Sequence, residues 1–154
     1  MGFDFGVGRE APLFKLNAHD GSVVALTQYR GEWFPVIVFF EPATPGIEGY
    51  LRELAEAADE FWGYRGQLMA IAIADPEALR GLAERVGDVP YPLLADEDGA
   101  ISKRYGVWNA QEGRVVPVAY IADRAHKLIW AAEGKDGLPP RVADLRAAFR
   151  SVVR

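Results

Sequence analysis

The chain has 154 residues, half of them hydrophobic and a quarter charged, which is the size and composition of one folded domain spanning residues 1–154. Its formal net charge of −5 speaks against a nucleic-acid partner, because a phosphate binder needs a basic face. Cysteine is absent, which excludes disulfides, Cys-ligated metal centres and thiol nucleophiles.

The two histidines, His19 and His126, lie far apart in sequence, so no metal site is expected. No run approaches the ~20 apolar residues that span a bilayer. Met1 to Gly6 lacks the basic and apolar regions of a signal peptide, and Gly6 stands where myristoylation wants Ser or Thr. A soluble, cytoplasmic chain with no membrane partner is the expectation.

Along the chain, Gly6 to Ala11 imitates a GxGxxA dinucleotide fingerprint. That motif must follow a strand and open a helix, whereas this one runs into Pro12, so no cofactor is expected. Phe14 and Leu16, then Val23, Val24 and Leu26, flank His19-Asp20-Gly21-Ser22, which reads as a β-hairpin. Pro35 to Phe40 is short, apolar and without alternation, the pattern of a strand covered on both faces. Thr44 as N-cap and Pro45 at the first helical position predict a helix to about Trp62, with Ile47, Leu51, Leu54, Ala58 and Phe61 inward.

Leu68 to Ala74 predicts a second buried strand, and Asp75-Pro76-Glu77 opens a second helix with Leu79, Leu82 and Val86 inward. Tyr91 to Leu94 is extended. Asp96-Glu97-Asp98-Gly99 lacks the later ligands of a calcium loop and reads as a turn into a short helix ending near Tyr105. Val116 to Ala122 predicts a third buried strand, Lys127 to Ala132 its hairpin partner, and Pro139 to Val153 a terminal helix. A hairpin, then β-α-β-α, then β-β-α predicts an α/β fold: a mixed central sheet with helices on both faces and an added N-terminal β-hairpin.

That order is the thioredoxin-like arrangement, and the residues resemble the peroxiredoxins, the alkyl hydroperoxide reductase and thiol-specific antioxidant family. The resemblance rests on Gly8, Ala11 to Leu16, Asp20-Gly21, Leu26 and Gly31; on Thr44-Pro45-Gly46-Ile47; on Tyr91 to Asp96 followed by Tyr105-Gly106-Val107; and on Ala119 to Asp123. It implies a fold built around a reactive thiolate at a helix N-terminus, where the dipole and free N–H groups favour an anion. A Thr or Ser hydroxyl and an Arg then position the peroxide. Three departures stand out. Ile47 occupies the place of the nucleophilic cysteine, Pro117 that of the arginine, and Pro42-Ala43-Thr44 is about two residues short. Pro117 instead resembles the cis-proline of thioredoxins, so a cis Val116–Pro117 bond is expected.

The resemblance therefore implies a vestigial pocket at Thr44, Pro45, Gly46, Ile47 and Pro117, with no catalytic residue. Thr44 either orients a ligand oxygen or only caps the helix; the N–H groups of Gly46 and Ile47 either take an anion or lie beneath the Ile47 side chain. Glu41 and Glu48 are candidates for acid–base work, or plain surface carboxylates. His19 and His126 read as solvated turn residues. Among Trp33, Trp62, Trp108 and Trp130, which read as core or rim residues, Trp108 is the interface candidate, since aromatics are enriched in such patches. The expected function is a binding or interaction domain, with a protein or small-molecule partner or a second copy, and no thiol-peroxidase activity. The alternatives are a hydroperoxide-reducing antioxidant enzyme whose nucleophile was replaced by Ile47, and an enzyme with non-thiol chemistry in the same cleft.

Overall fold

The computed structural model describes residues 6–153; the reading of Met1 to Phe5 lies outside the described residues. The two uninterrupted apolar runs form the middle of the sheet. Strand β3 (Phe34–Phe39) and strand β4 (Gly66–Ala72) pair in parallel, with Val36 opposite Leu68 and Val38 opposite Ala70. Around them lie β1 (Lys15–Ala18), β2 (Val23–Ala25), β5 (Leu93–Ala95), β8 (Val118–Ala122) and β9 (Leu128–Glu133), in the order β2-β1-β5-β4-β3-β8-β9. β5 is parallel to β4; the β1–β2, β1–β5, β3–β8 and β8–β9 pairs are antiparallel. The mixed sheet with its N-terminal hairpin is the one expected.

Alternate residues of the central strands point to opposite faces. Val36, Val38, Leu68 and Ala70 meet Leu51, Leu54 and Phe61 of α1 (Ile47–Gly63), Leu79 and Leu82 of α2 (Pro76–Val86), and Leu145 and Phe149 of α4 (Val142–Val152). Ile37, Phe39, Met69 and Ile71 meet Ile101 of α3 (Ala100–Arg104), Tyr105, Tyr120 and Phe14. Each fully buried Leu, Ile or Phe contributes about 1.5–3 kcal/mol, so the two apolar layers hold the sheet that carries the loops.

Several element ends depart from expectation. Pro117 has no N–H for a ladder, and the expected strand from Val116 splits around it: β7 (Arg114–Val115) pairs with β6 (Trp108–Asn109) in a small unanticipated hairpin, and β8 starts at Val118. The Val116–Pro117 bond is trans, as is every peptide bond among the described residues. There Pro117 O accepts the Gly134 N–H (2.8 Å) and the Val116 N–H donates to Val107 O (2.7 Å), which holds the proline segment in its trans path. The terminal helix begins at Val142, beyond Pro139 and Pro140. Helix α1 begins at Ile47, because Gly46 adopts a left-handed backbone (φ 87°) that breaks the path from Thr44 into the helix. No helix among the described residues is long and apolar enough to cross a membrane.

Candidate functional site

The C-terminal end of β3 delivers Phe40 to Gly46 to the start of α1. Within that loop the Thr44 N–H donates to Glu41 O (3.2 Å) and the Ile47 N–H to Thr44 O (3.1 Å), a tight turn. Thr44 is not the N-cap, and neither is any side chain: Gly46 fills that position with backbone alone. The half-buried Thr44 side chain instead lies against Gly137 of the β9–α4 loop, so close that a Cβ on Gly137 would come within 3.1 Å of Thr44 Cγ2.

A cleft of about 770 Å³ opens beside this loop. Thr44 and Pro45 form one wall, Val116 and Pro117 the floor, the β6–β7 hairpin a second wall and Glu133 to Gly137 a third. Glu41 ties two walls together, its Oε1 accepting the Val115 N–H (3.3 Å). Charges in the lining are Glu41, Glu112, Glu133 and Asp136 against Arg114, whose guanidinium is held by Glu112 at 2.8 Å. A second cleft of about 880 Å³ lies on the other side of the Glu133–Asp136 segment and includes Gly46, Tyr50 and Trp130. Tyr50 anchors its floor: the hydroxyl donates to Pro140 O (2.7 Å), and burial, aided by Glu53, pushes its ionisation well above the ordinary tyrosine range. It acts as a neutral donor, not a base.

The expected pocket residues thus separate. Thr44, Pro45 and Pro117 line the first cleft, Gly46 the second, and Ile47 neither. Ile47 is 3% exposed and packs with Phe40, Tyr50 and Leu51 in the core beneath α1. Glu41 and Glu48 do not converge, since Glu48 sits on the surface paired with Arg85 at 3.0 Å. The half-buried Trp108 packs its hairpin against the second apolar layer and does not itself line the cleft. Asp96 is buried and spends its oxygens on the N–H groups of Ile101 (3.1 Å) and Ser102 (2.8 Å) and on Ser102 Oγ (2.8 Å), a helix-capping role as the turn pattern implied. No cluster of metal-ligating side chains occurs among the described residues.

Both histidines correct the sequence reading. His19 is half-buried and its Nδ1 accepts the Leu93 N–H (3.1 Å); burial lowers its pKa more than Asp20 raises it. His126 is wholly buried, and neither ring nitrogen has a hydrogen-bond partner. Local sequence could not reveal this, because the turn is bonded by a segment more than a hundred residues earlier, Ala11 N–H donating to His126 O (2.7 Å). Trp62, expected at the core or rim, is 62% exposed and stacks on Trp33 with ring centroids 5.8 Å apart, at the helix end remote from the cleft.

A model of the AhpC/TSA family matches residues 7–131. The chain belongs to this family. Among relatives, the alkyl hydroperoxide reductase E of Mycobacterium bovis is 35% identical over 143 residues, 91% of each chain. The fold is shared with a peroxidoxin from Mycobacterium tuberculosis (TM-score 0.84, 20% identity, 96% of this chain and 98% of that one) and with the Mycobacterium bovis AhpC (TM-score 0.86, 16% identity, all of both chains). These likenesses give the thioredoxin-like peroxiredoxin fold. Within that family this member has no cysteine, and a hydrocarbon side chain opens the helix after the central strand.

Proposed function

We propose that this AhpC/TSA-family chain works as one binding or interaction domain without thiol-peroxidase activity, using the cleft between the β3–α1 loop and Pro117. The observation that carries the reading is Ile47. Reduction of a peroxide O–O bond by this family's chemistry needs an ionisable thiol, and the group at the helix start is a hydrocarbon sunk in the core. Pro117 contributes no cation, and the one guanidinium in the lining is neutralised by Glu112. What remains is a concave surface shaped by Thr44, Pro45 and Pro117 and edged with carboxylates.

Four carboxylates against one guanidinium disfavour an anionic ligand there, offsetting the attraction of the helix start for anions. Gly46 and Ile47 contribute by position: Gly46 sets the turn and Ile47 seals the core below it. Trp108 anchors the hairpin whose Asn109, Glu112 and Arg114 line the cleft, the hairpin a protein partner or a second copy would touch. The alternative is an antioxidant peroxidase disabled by a single replacement. It is disfavoured because the arginine position is also lost. The test pairs two measurements on the full chain. Amide shifts of Thr44, Gly46 and Val118 are followed against a panel of neutral, cationic and anionic small molecules, and hydroperoxide consumption with a dithiol is followed for Ile47→Cys. Selective shifts with neutral or cationic compounds and an inactive Ile47→Cys variant are expected. An Ile47→Cys variant with enzymatic turnover would replace this reading with that of a peroxidase lacking only its nucleophile.

A further inference from the structure

His126 ends the tight turn between β8 and β9, with its N–H donating to Asp123 O (2.9 Å) and a left-handed backbone (φ 68°) uncommon for a residue with a side chain. Its ring has no solvent exposure and no hydrogen-bond partner. Buried polar groups are nearly always paired, so an orphaned imidazole marks a place where the fold holds a group against its preference. Among the described residues it is also the one buried side chain that can acquire a charge near neutral pH.

Three segments meet at this turn. Its own turn contributes Asp123, whose Oδ1 is already engaged by the N–H groups of Ala125 (2.9 Å) and Lys127 (2.8 Å). The segment before β3 contributes Arg30, which donates to Ala125 O (3.3 Å) and whose charge faces the ring. The N-terminal segment contributes Glu10, in a solvent-exposed pair with Arg30 at 3.7 Å. Burial and then Arg30 hold the imidazole below the ordinary histidine pKa, against the weaker opposing pull of Asp123 and Glu10. No acceptor stands ready for a second N–H.

We propose that His126 is an acid-operated latch: when its imidazole takes up a proton from solvent, residues 6–12 release from the β8–β9 turn and uncover the apolar surface beneath them. An imidazolium needs water or an acceptor at both nitrogens, and one covering element must give way to supply it. The β8–β9 ladder pairs five positions, from Val118 opposite Glu133 to Ala122 opposite Leu128. Residues 6–12 are held more lightly, by Ala11 N–H to His126 O (2.7 Å), Leu128 N–H to Arg9 O (2.8 Å), Gly8 N–H to Leu128 O (2.8 Å) and Tyr105 hydroxyl to Pro12 O (2.8 Å). The first of these ends on the histidine's own carbonyl. Release lays bare Leu128 and Tyr105, both 2% exposed in the closed state. The device is independent of the cleft beside Thr44.

The experiment is amide hydrogen exchange on the full chain from about pH 7.5 to about pH 5, each rate divided by its intrinsic value, alongside an NMR titration of the His126 ring. Protection at Gly8, Ala11 and Leu128 is expected to fall about tenfold, with the midpoint of the ring titration, while Val36 to Val38 stay protected. His126→Phe is expected to abolish that loss and His19→Gln to preserve it. Protection independent of pH, a loss shared by His126→Phe, or a ring titration that leaves Ala11 unmoved would each overturn the proposal. The coincidence of midpoints is read on the unsubstituted chain, so the test survives a variant that fails to fold.

Discussion

Helices α1 and α2 both follow a parallel strand of the central sheet, yet their starts are built differently. Asp75 closes α2, its Oδ1 accepting the Ala78 N–H at 2.7 Å with Pro76 in the first turn. The start of α1 has no side-chain cap: Gly46 turns the chain, Ile47 drops into the core, and Thr44 leans on Gly137 instead. The α2 start is finished by its own residues and serves the fold. The α1 start is left as bare backbone beside a cleft, which is where this family places its chemistry. The comparison teaches that two helices in equivalent places of one sheet can start in different ways, one on a side-chain cap and one on a left-handed glycine with a core residue behind it.

Substitutions can break or sharpen that contrast. The largest effect is expected from Ile47→Ala, which empties a core position 3% exposed and should lower unfolding free energy by about 2–5 kcal/mol in denaturant titration. A loss below about 1 kcal/mol would mean that Ile47 faces the cleft rather than the core. Asp96→Ala strands the buried N–H groups of Ile101 and Ser102 and should cost about 1–3 kcal/mol. Asp75→Ala removes a working cap and should cost about 1 kcal/mol. Thr44→Ala should change stability by less than about 0.5 kcal/mol, because Thr44 caps nothing; a loss like that of Asp75→Ala would return Thr44 to the capping role.

Acid should weaken the fold through its histidines. Both have folded pKa values below the ordinary histidine value of 6.5, so the unfolded chain binds protons first as pH falls. The stability they contribute is fully present above 6.5 and is lost as pH drops through that value toward the lower folded ones. Thermal melts should therefore decline more steeply below that point in the native chain than in a His19→Gln, His126→Phe double variant.

The sheet was legible because its central strands are unbroken apolar runs, Pro35 to Phe40 and Leu68 to Ala74, and because Asp20-Gly21 and Asp75-Pro76 are local signals with local causes. The details of the site were not. Thr44 leans on Gly137 of the distant β9–α4 loop instead of capping the helix, and the strand breaks at Pro117, which has no N–H for the ladder. His126 looked like a turn residue because it is one; no local signal announces that Glu10 and Ala11 return from the far end of the chain to bond that turn, where the ring is buried. What was plain from the residues alone, the absence of cysteine and Ile47 in the Thr44-Pro45-Gly46-Ile47 segment, is also what carries the proposed reading of the chemistry.

The most direct measurement is hydrogen peroxide consumption by the unaltered protein with excess dithiol reductant, against a buffer blank. The account predicts no consumption above the blank at any protein concentration. Saturable turnover that scales with the amount of chain would contradict it.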